Sequence, residues 1–211
     1  MQIPQKKLYA VEFILLFVVF PIALCLKFPI WIKGALGLFG LIYVLRILLI
    51  ARYSFFKKGL QFSSNKYVYK VVLIFFAIIF TSSLYMHYFK PDKLFYVVRN
   101  NLKLWIFILF VYSFLSVLPQ EIIYRSFFFE RYTMFFKNKH FLILINALVF
   151  SLGHLFFQNT LVLGITFVGG LIFGYSYLKS KSLLLVSFEH ALYGCWLFTV
   201  GMGGMLGFPG N

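Results

Sequence analysis

Acidic side chains are scarce in this sequence: five Asp and Glu stand against 20 Lys and Arg in 211 residues. Charged residues of both signs amount to 12%, about half the ~25% of a soluble domain, so water is not the solvent for most of the surface. The excess of positive charge is not a nucleic-acid footprint. No basic run exceeds two residues, and the Lys and Arg fall mostly between apolar stretches, where anionic headgroups and the positive-inside rule place them. Nucleic acid is therefore not an expected partner. The cysteines are only Cys25 and Cys195, both inside apolar runs, which excludes a disulfide framework or zinc-ribbon spacing and reads as two small buried hydrophobes. Cys195 follows His190 by five positions, and a helix turns such a pair onto different faces. No helical His-Glu-x-x-His motif, internal repeat, low-complexity tract or long linker is present, so one domain over residues 1–211 is expected. The apolar run behind Lys6 and Lys7 lacks a small-residue cleavage site and reads as a membrane helix rather than a removable signal.

What is abundant is hydrocarbon. Hydrophobic residues make up 62%, with 30 Phe and 14 Tyr, and the mean hydropathy is +0.92. A membrane-crossing helix needs ~20 mostly apolar residues. Seven stretches qualify: Leu8–Leu26, Ile30–Ile50, Tyr67–Met86, Leu102–Leu118 with room to run further, Phe141–Phe157, Leu161–Leu178 and Leu183–Val200. The fold class that follows is all-α, a polytopic membrane protein of about seven transmembrane helices. The tail Gly201–Asn211 reads either as a partial re-entrant segment or as a loose end. With the N-terminus inside, the inner connections hold Lys6 and Lys7; Arg52, Lys57, Lys58 and Lys66; Arg131, Lys137 and Lys139; Lys179 and Lys181. The third connection, with Lys90, Lys93, Arg99 and Lys103, is basic on the outer side; the balance still favours an inside N-terminus.

An ionisable group inside a span costs ~2.5–3.5 kcal/mol on insertion scales, so those present are paired or used. Apart from lysines in the first turn of a span, they are Glu12, Arg46, Glu121, Arg125, His154, Glu189 and His190. Glu12 and Arg46 lie near helix ends and are expected to snorkel to the interface. The others lie from Leu102 onward, making residues 1–101 accessory and 102–200 the core. Glu121 and Arg125 are four apart on one helical face and could be an internal ion pair. His154 stands near the end of an apolar helix and could be a satisfied structural histidine. Glu189 and His190 could serve each other, although adjacent helical residues point ~100° apart. Depth discriminates. At ~1.5 Å per residue, Glu121 lies ~24 Å from Lys137, His154 ~22 Å from Lys139 and His190 ~14 Å from Lys181, all within the hydrocarbon slab. A shared polar chamber requires that coincidence; independent accidents do not. A carboxylate there can act as general base, and imidazoles can relay its proton or polarise a carbonyl. Arg125 would fix the carboxylate or hold a substrate carboxylate. Proton-coupled transporters use the same residue types.

At these residues the chain resembles the CPBP family, which groups type II CAAX prenyl endopeptidases with bacteriocin-processing and abortive-infection-type membrane proteins. The family pattern is Glu-Glu-x-x-x-Arg, then Phe-x-x-x-His, then a His followed four residues on by Asn or Asp. Here Gln120-Glu121-x-x-x-Arg125 matches the first in part, Phe150-x-x-x-His154 the second in full, and His190 the third, with Gly194 in the Asn or Asp position. The resemblance covers 102–200. It implies a glutamic-type intramembrane peptidase, with Glu121, His154 and His190 catalytic and Arg125, Gln120, Glu189 and Phe150 supporting. It implies no cofactor and no metal, although two His and a Glu could in principle hold zinc. Glu121 would be the base, with Glu189 restoring the second carboxylate that Gln120 lacks. The implied substrate is a hydrophobic peptide or membrane-anchored protein: a leader peptide, a C-terminal sorting signal or a CAAX-like tail. The small size and minimal loops suit a prokaryotic inner membrane. The competing readings are an inert relative acting as an immunity or scaffold protein, to which Gln120 and Gly194 point, and a small transporter, against which the absence of inverted repeats counts. The glycines of Gly164–Gly174 are read as close helix packing.

Overall fold

The computed structural model describes residues 3–51 and 65–206. Arg52, Lys57 and Lys58 of the second connection lie outside the described residues, as does the end of the glycine-rich tail. Among the described residues the chain is helical without strands. Helix α1 begins as Ile3–Ile14, widens through a π stretch, Leu15–Val19, and closes with Phe20–Ala23. Helix α2 is Ile30–Ile50, α3 is Asn65–Phe89 and α4 is the short Tyr96–Asn100. Helix α5 runs over Leu102–Phe135, α6 is Lys139–Leu152, α7 is Thr160–Ser180 and α8 is Leu183–Val200.

Six of these helices are long and apolar enough to cross a membrane: α2, α3, α5, α6 with its extension to Phe157, α7 and α8. Helix α1 is not among the six; Lys6, Lys7 and Glu12 interrupt its apolar surface. Its regular helix stops at Ala23, three residues before the apolar run does, and a turn leads to Pro29 at the cap of α2. The outward faces are those of a protein solvated by lipid, with Phe39 72%, Phe80 69% and Leu115 70% exposed in numbers that water would not tolerate. The architecture is that of an all-α polytopic membrane protein.

Starts and stops follow local chemistry. The Asn101, Asn138, Asn159 and Ser182 side chains accept backbone N–H groups at the first turns of α5, α6, α7 and α8, satisfying donors that would otherwise be orphaned. Helix α8 ends at Gly201, whose φ is +107° and whose missing Cβ would stand 2.0 Å from the Lys93 carbonyl oxygen; only glycine fits. Helices α6 and α7 approach closely at Gly170, where an added Cβ would meet the Ala147 Cα at 2.8 Å. That contact realises the small-residue packing read from the sequence. Gly164, by contrast, has open space beside it.

One expectation is corrected. Glu12 does not snorkel: it is 8% exposed and welds α1 to the core. Its carboxylate accepts from Arg131 Nε at 2.8 Å and Nη2 at 2.7 Å, from the Tyr132 hydroxyl at 2.7 Å and from the Tyr43 hydroxyl at 3.0 Å. A carboxylate with four donors loses more by leaving than it gains in hydration. Arg46 is exposed, as expected. Glu12→Ala should lower stability by ~3 kcal/mol, because it strands Arg131 among aromatic rings. Unfolding in a fixed detergent, with Glu12→Ala/Arg131→Ala recovering part of the loss, checks this.

Candidate active site

Helix α5 carries the first part of the site, and it is not a regular helix. Pro119 lacks an N–H and its ring crowds the carbonyl one turn earlier. The helix accommodates it with π stretches at Tyr112–Val117 and Ile122–Phe127, on either side of Leu118–Glu121. Single wide turns of this kind reorient side chains without ending a helix. The result aims Glu121 and Arg125 into the bundle, both with 0% exposure.

From α8, His190 meets Glu121 there. Its Nδ1 is 2.8 Å from Glu121 Oε1, and the Arg125 Nε is 3.2 Å from Oε2. The latter is an ion pair without hydrogen-bond alignment, since neither atom has a hydrogen-bond partner. The guanidinium is held from behind. Its Nη1 donates to Asn146 Oδ1 at 2.9 Å, and the Asn146 amide donates to the Tyr124 carbonyl at 2.7 Å. The His190 ring is stacked on Phe173 of α7 at 4.5 Å, with Phe150 and Tyr112 edge-on at 5.7 and 6.0 Å. Packing on three sides leaves the imidazole one orientation.

His154 lies just past the end of α6. Its Nδ1 is 2.8 Å from the Phe150 carbonyl, which can only accept, so Nδ1 carries the proton and Nε2 the lone pair. Phe150 is the common neighbour of the site: ring centroids are 4.8 Å to His154 and 5.7 Å to His190, and the Arg125 guanidinium lies 4.6 Å over its face. Gln120 is half-buried; its amide donates to Ser116 Oγ at 2.8 Å, while Oε1 has no partner. Glu189 turns away from His190, as adjacent helical positions require. It accepts from the Tyr193 hydroxyl at 3.1 Å and lines a cavity between α3 and α7. At Gly194, an added Cβ would stand 2.0 Å from the Tyr112 hydroxyl, so a tyrosine from α5 fills the space that an Asn or Asp would need. Among the described residues no three His, Cys, Asp or Glu side chains gather as a metal site would require.

Glu121 and His190 thus make the direct contact in the site, with Phe150 linking it to His154. The ~10 Å difference in depth between Glu121 and His190 that a uniform rise implies is absent from the structure. The π turns put more residues into each turn of α5, and the chain leaves regular helix before Lys139. Asn146, 0% exposed, escaped sequence reading. Its signal was position: an amide in an apolar helix, four residues before Phe150 and eight before His154, on one face.

The comparisons with known proteins bear on this same region. Residues 102–196 match the sequence model of the type II CAAX prenyl endopeptidase Rce1-like family. This helical core is similar to that family. The match takes in Glu121, Arg125, Phe150, His154 and His190 and stops short of α1 to α4, so less than half of the chain carries it. No curated protein and no solved structure matches the chain. The family that residues 102–196 resemble is one of endopeptidases by its description, and the long apolar helices make the chain an integral membrane protein.

Proposed function

We propose that the protein is an intramembrane endopeptidase in which Glu121 and His190 act as one unit to activate water. The observation that supports this most is the 2.8 Å contact between Nδ1 of His190 and the fully buried Glu121 carboxylate, two residues 69 positions apart. A carboxylate can only accept there, so Nδ1 holds the proton and Nε2 presents its lone pair. This is the logic by which a carboxylate orients a catalytic imidazole. Glu121 already faces a guanidinium and an imidazole N–H, which suits it to back the imidazole. The proton-accepting atom is then His190 Nε2 rather than Glu121, whose expected role as base becomes that of orienting the imidazole.

In this reading a water oxygen attacks the scissile carbonyl carbon while its proton passes to His190 Nε2. His154 Nε2 accepts the water's second hydrogen and so aims its lone pair. The C–N bond then breaks, and the proton on His190 passes to the departing amine nitrogen. Arg125, anchored by Asn146, fixes the Glu121 carboxylate, and Phe150 sets the spacing of the imidazoles. Residues 1–101 are accessory helices and 102–200 the catalytic core. The substrate is a hydrophobic, membrane-associated peptide segment such as a leader peptide, a sorting signal or a CAAX-like tail. The protein sits in a prokaryotic cytoplasmic membrane with its N-terminus on the inner side.

The test is cleavage of membrane-anchored reporters by the full chain in proteoliposomes, with new termini identified by mass spectrometry. New termini with the wild type and none with His190→Ala are expected; identical products from both would end the reading. Gln120 favours a second reading, an inert relative with a scaffold role, and a wild type that binds reporters without cutting any would select it. Hydrolysis is also expected to proceed undiminished in strong chelator. Activity lost to chelator and returned by zinc would move the chemistry to a metal.

A further inference from the structure

Between α3 and α7 lies a cavity of about 350 Å³. Its walls are Val71 and Ile74 on one side and Leu171 and Ile172 on the other, with Lys70 and Tyr175 at the rim and Glu189 among the lining residues. Lys70 and Tyr175 are exposed whereas Glu189 is 1% exposed, so the carboxylate forms the floor. Oε1 of Glu189 takes the Tyr193 hydroxyl, whereas Oε2 has no hydrogen bond within 3.5 Å, and the Ser176 side chain, also on the cavity wall, stands near the carboxylate. Nor does Glu189 make an ion pair among the described residues, as Glu12 and Glu121 do. A buried carboxylate is costly unless it is paired, and packing alone does not explain why one ends an apolar-walled cavity.

We propose that this cavity is a specificity pocket for an aliphatic stem carrying a cationic head, the side chain of a Lys or Arg in the substrate, read by Glu189. The proposal rests on the peptidase reading above for its substrate. The walls suit methylenes and the floor suits an ammonium or guanidinium; a wholly aliphatic occupant would leave Oε2 orphaned. The rim admits such a head. Tyr175 already has the Lys70 and Lys179 ammoniums 5.5 and 5.9 Å from its ring centroid, so its face attracts cations. Lys70 itself is exposed, its ammonium turned to the Tyr175 ring. The pocket also lies in the right place. Glu189 immediately precedes His190 on α8, so the pocket and the proposed water-activating pair are built on neighbouring faces of one helix.

The experiment uses two fluorescent apolar peptides that differ at one position, Lys against norleucine, a charge-free stem of similar shape. Binding to the full chain in nanodiscs is read by anisotropy without turnover, so a failure of cleavage and a failure of selectivity are separate results. The wild type should bind the Lys peptide about tenfold more tightly or better, which corresponds to ~1.4 kcal/mol. Glu189→Gln should bring the two affinities together. Ile172→Phe, which fills the cavity and keeps the carboxylate, should weaken the Lys peptide and provides the test should Glu189→Gln not fold. Equal binding of both peptides by the wild type, or a Lys preference that survives both substitutions, overturns the proposal.

Discussion

Glu121→Gln should lower kcat/KM on a cleaved reporter by ~10³–10⁴, with His190→Ala giving a loss of similar size and the double variant losing little more. The magnitude follows from what an orienting carboxylate does. Replaced by an amide, it still occupies the space, but it can donate to Nδ1 and favour the tautomer with its lone pair on the wrong nitrogen; in a well-measured triad that change costs ~10⁴. Residues that act as a unit are non-additive, because removing either disables the same step. Losses that multiply in the double variant would show two independent groups and refute the coupled pair. Thermal unfolding of each variant separates chemistry from folding, since Glu121 also faces Arg125 at 3.2 Å.

The second large effect concerns Arg125. Its side chain is 0% exposed and lies over the Phe150 ring, with its charge facing Glu121. Arg125→Met keeps much of the volume and removes the charge, leaving the Glu121 carboxylate buried with only an imidazole N–H. Breaking a buried pair from one side costs ~3–5 kcal/mol, whereas replacing both members by apolar groups is often neutral. Arg125→Met should therefore unfold at much lower temperature or denaturant. Glu121→Leu/Arg125→Met should recover most of that stability and yet cleave nothing. A single variant as stable as the wild type would show that the ion pair does not bear on folding, and a double variant that still cleaves would remove Glu121 from the mechanism.

Composition and pattern were sufficient for the membrane class. Apolar runs of spanning length allow few other structures, because lipid offers no partner to an unpaired backbone group. Runs such as Leu183–Val200 became helices with the expected bounds. Where the pattern misled, a tertiary partner was responsible. Glu12 reads as an interfacial residue until Arg131, Tyr132 and Tyr43 are brought to it from distant segments.

The site divides in the same way. Which residues carry ionisable groups at membrane depth is a one-dimensional fact, and Glu121, Arg125, His154, Glu189 and His190 can be found by reading along the chain. Their pairing is not, because it depends on wide turns around Pro119 and on the rotation of α8, which sends His190 toward Glu121 and Glu189 toward the α3–α7 cavity. Sequence by itself determined that this chain lives in lipid and where its charges lie along it, because hydropathy and helical rise act locally. Only the tertiary structure decided which charge answers which, because those contacts join side chains brought together by helix packing across long stretches of chain.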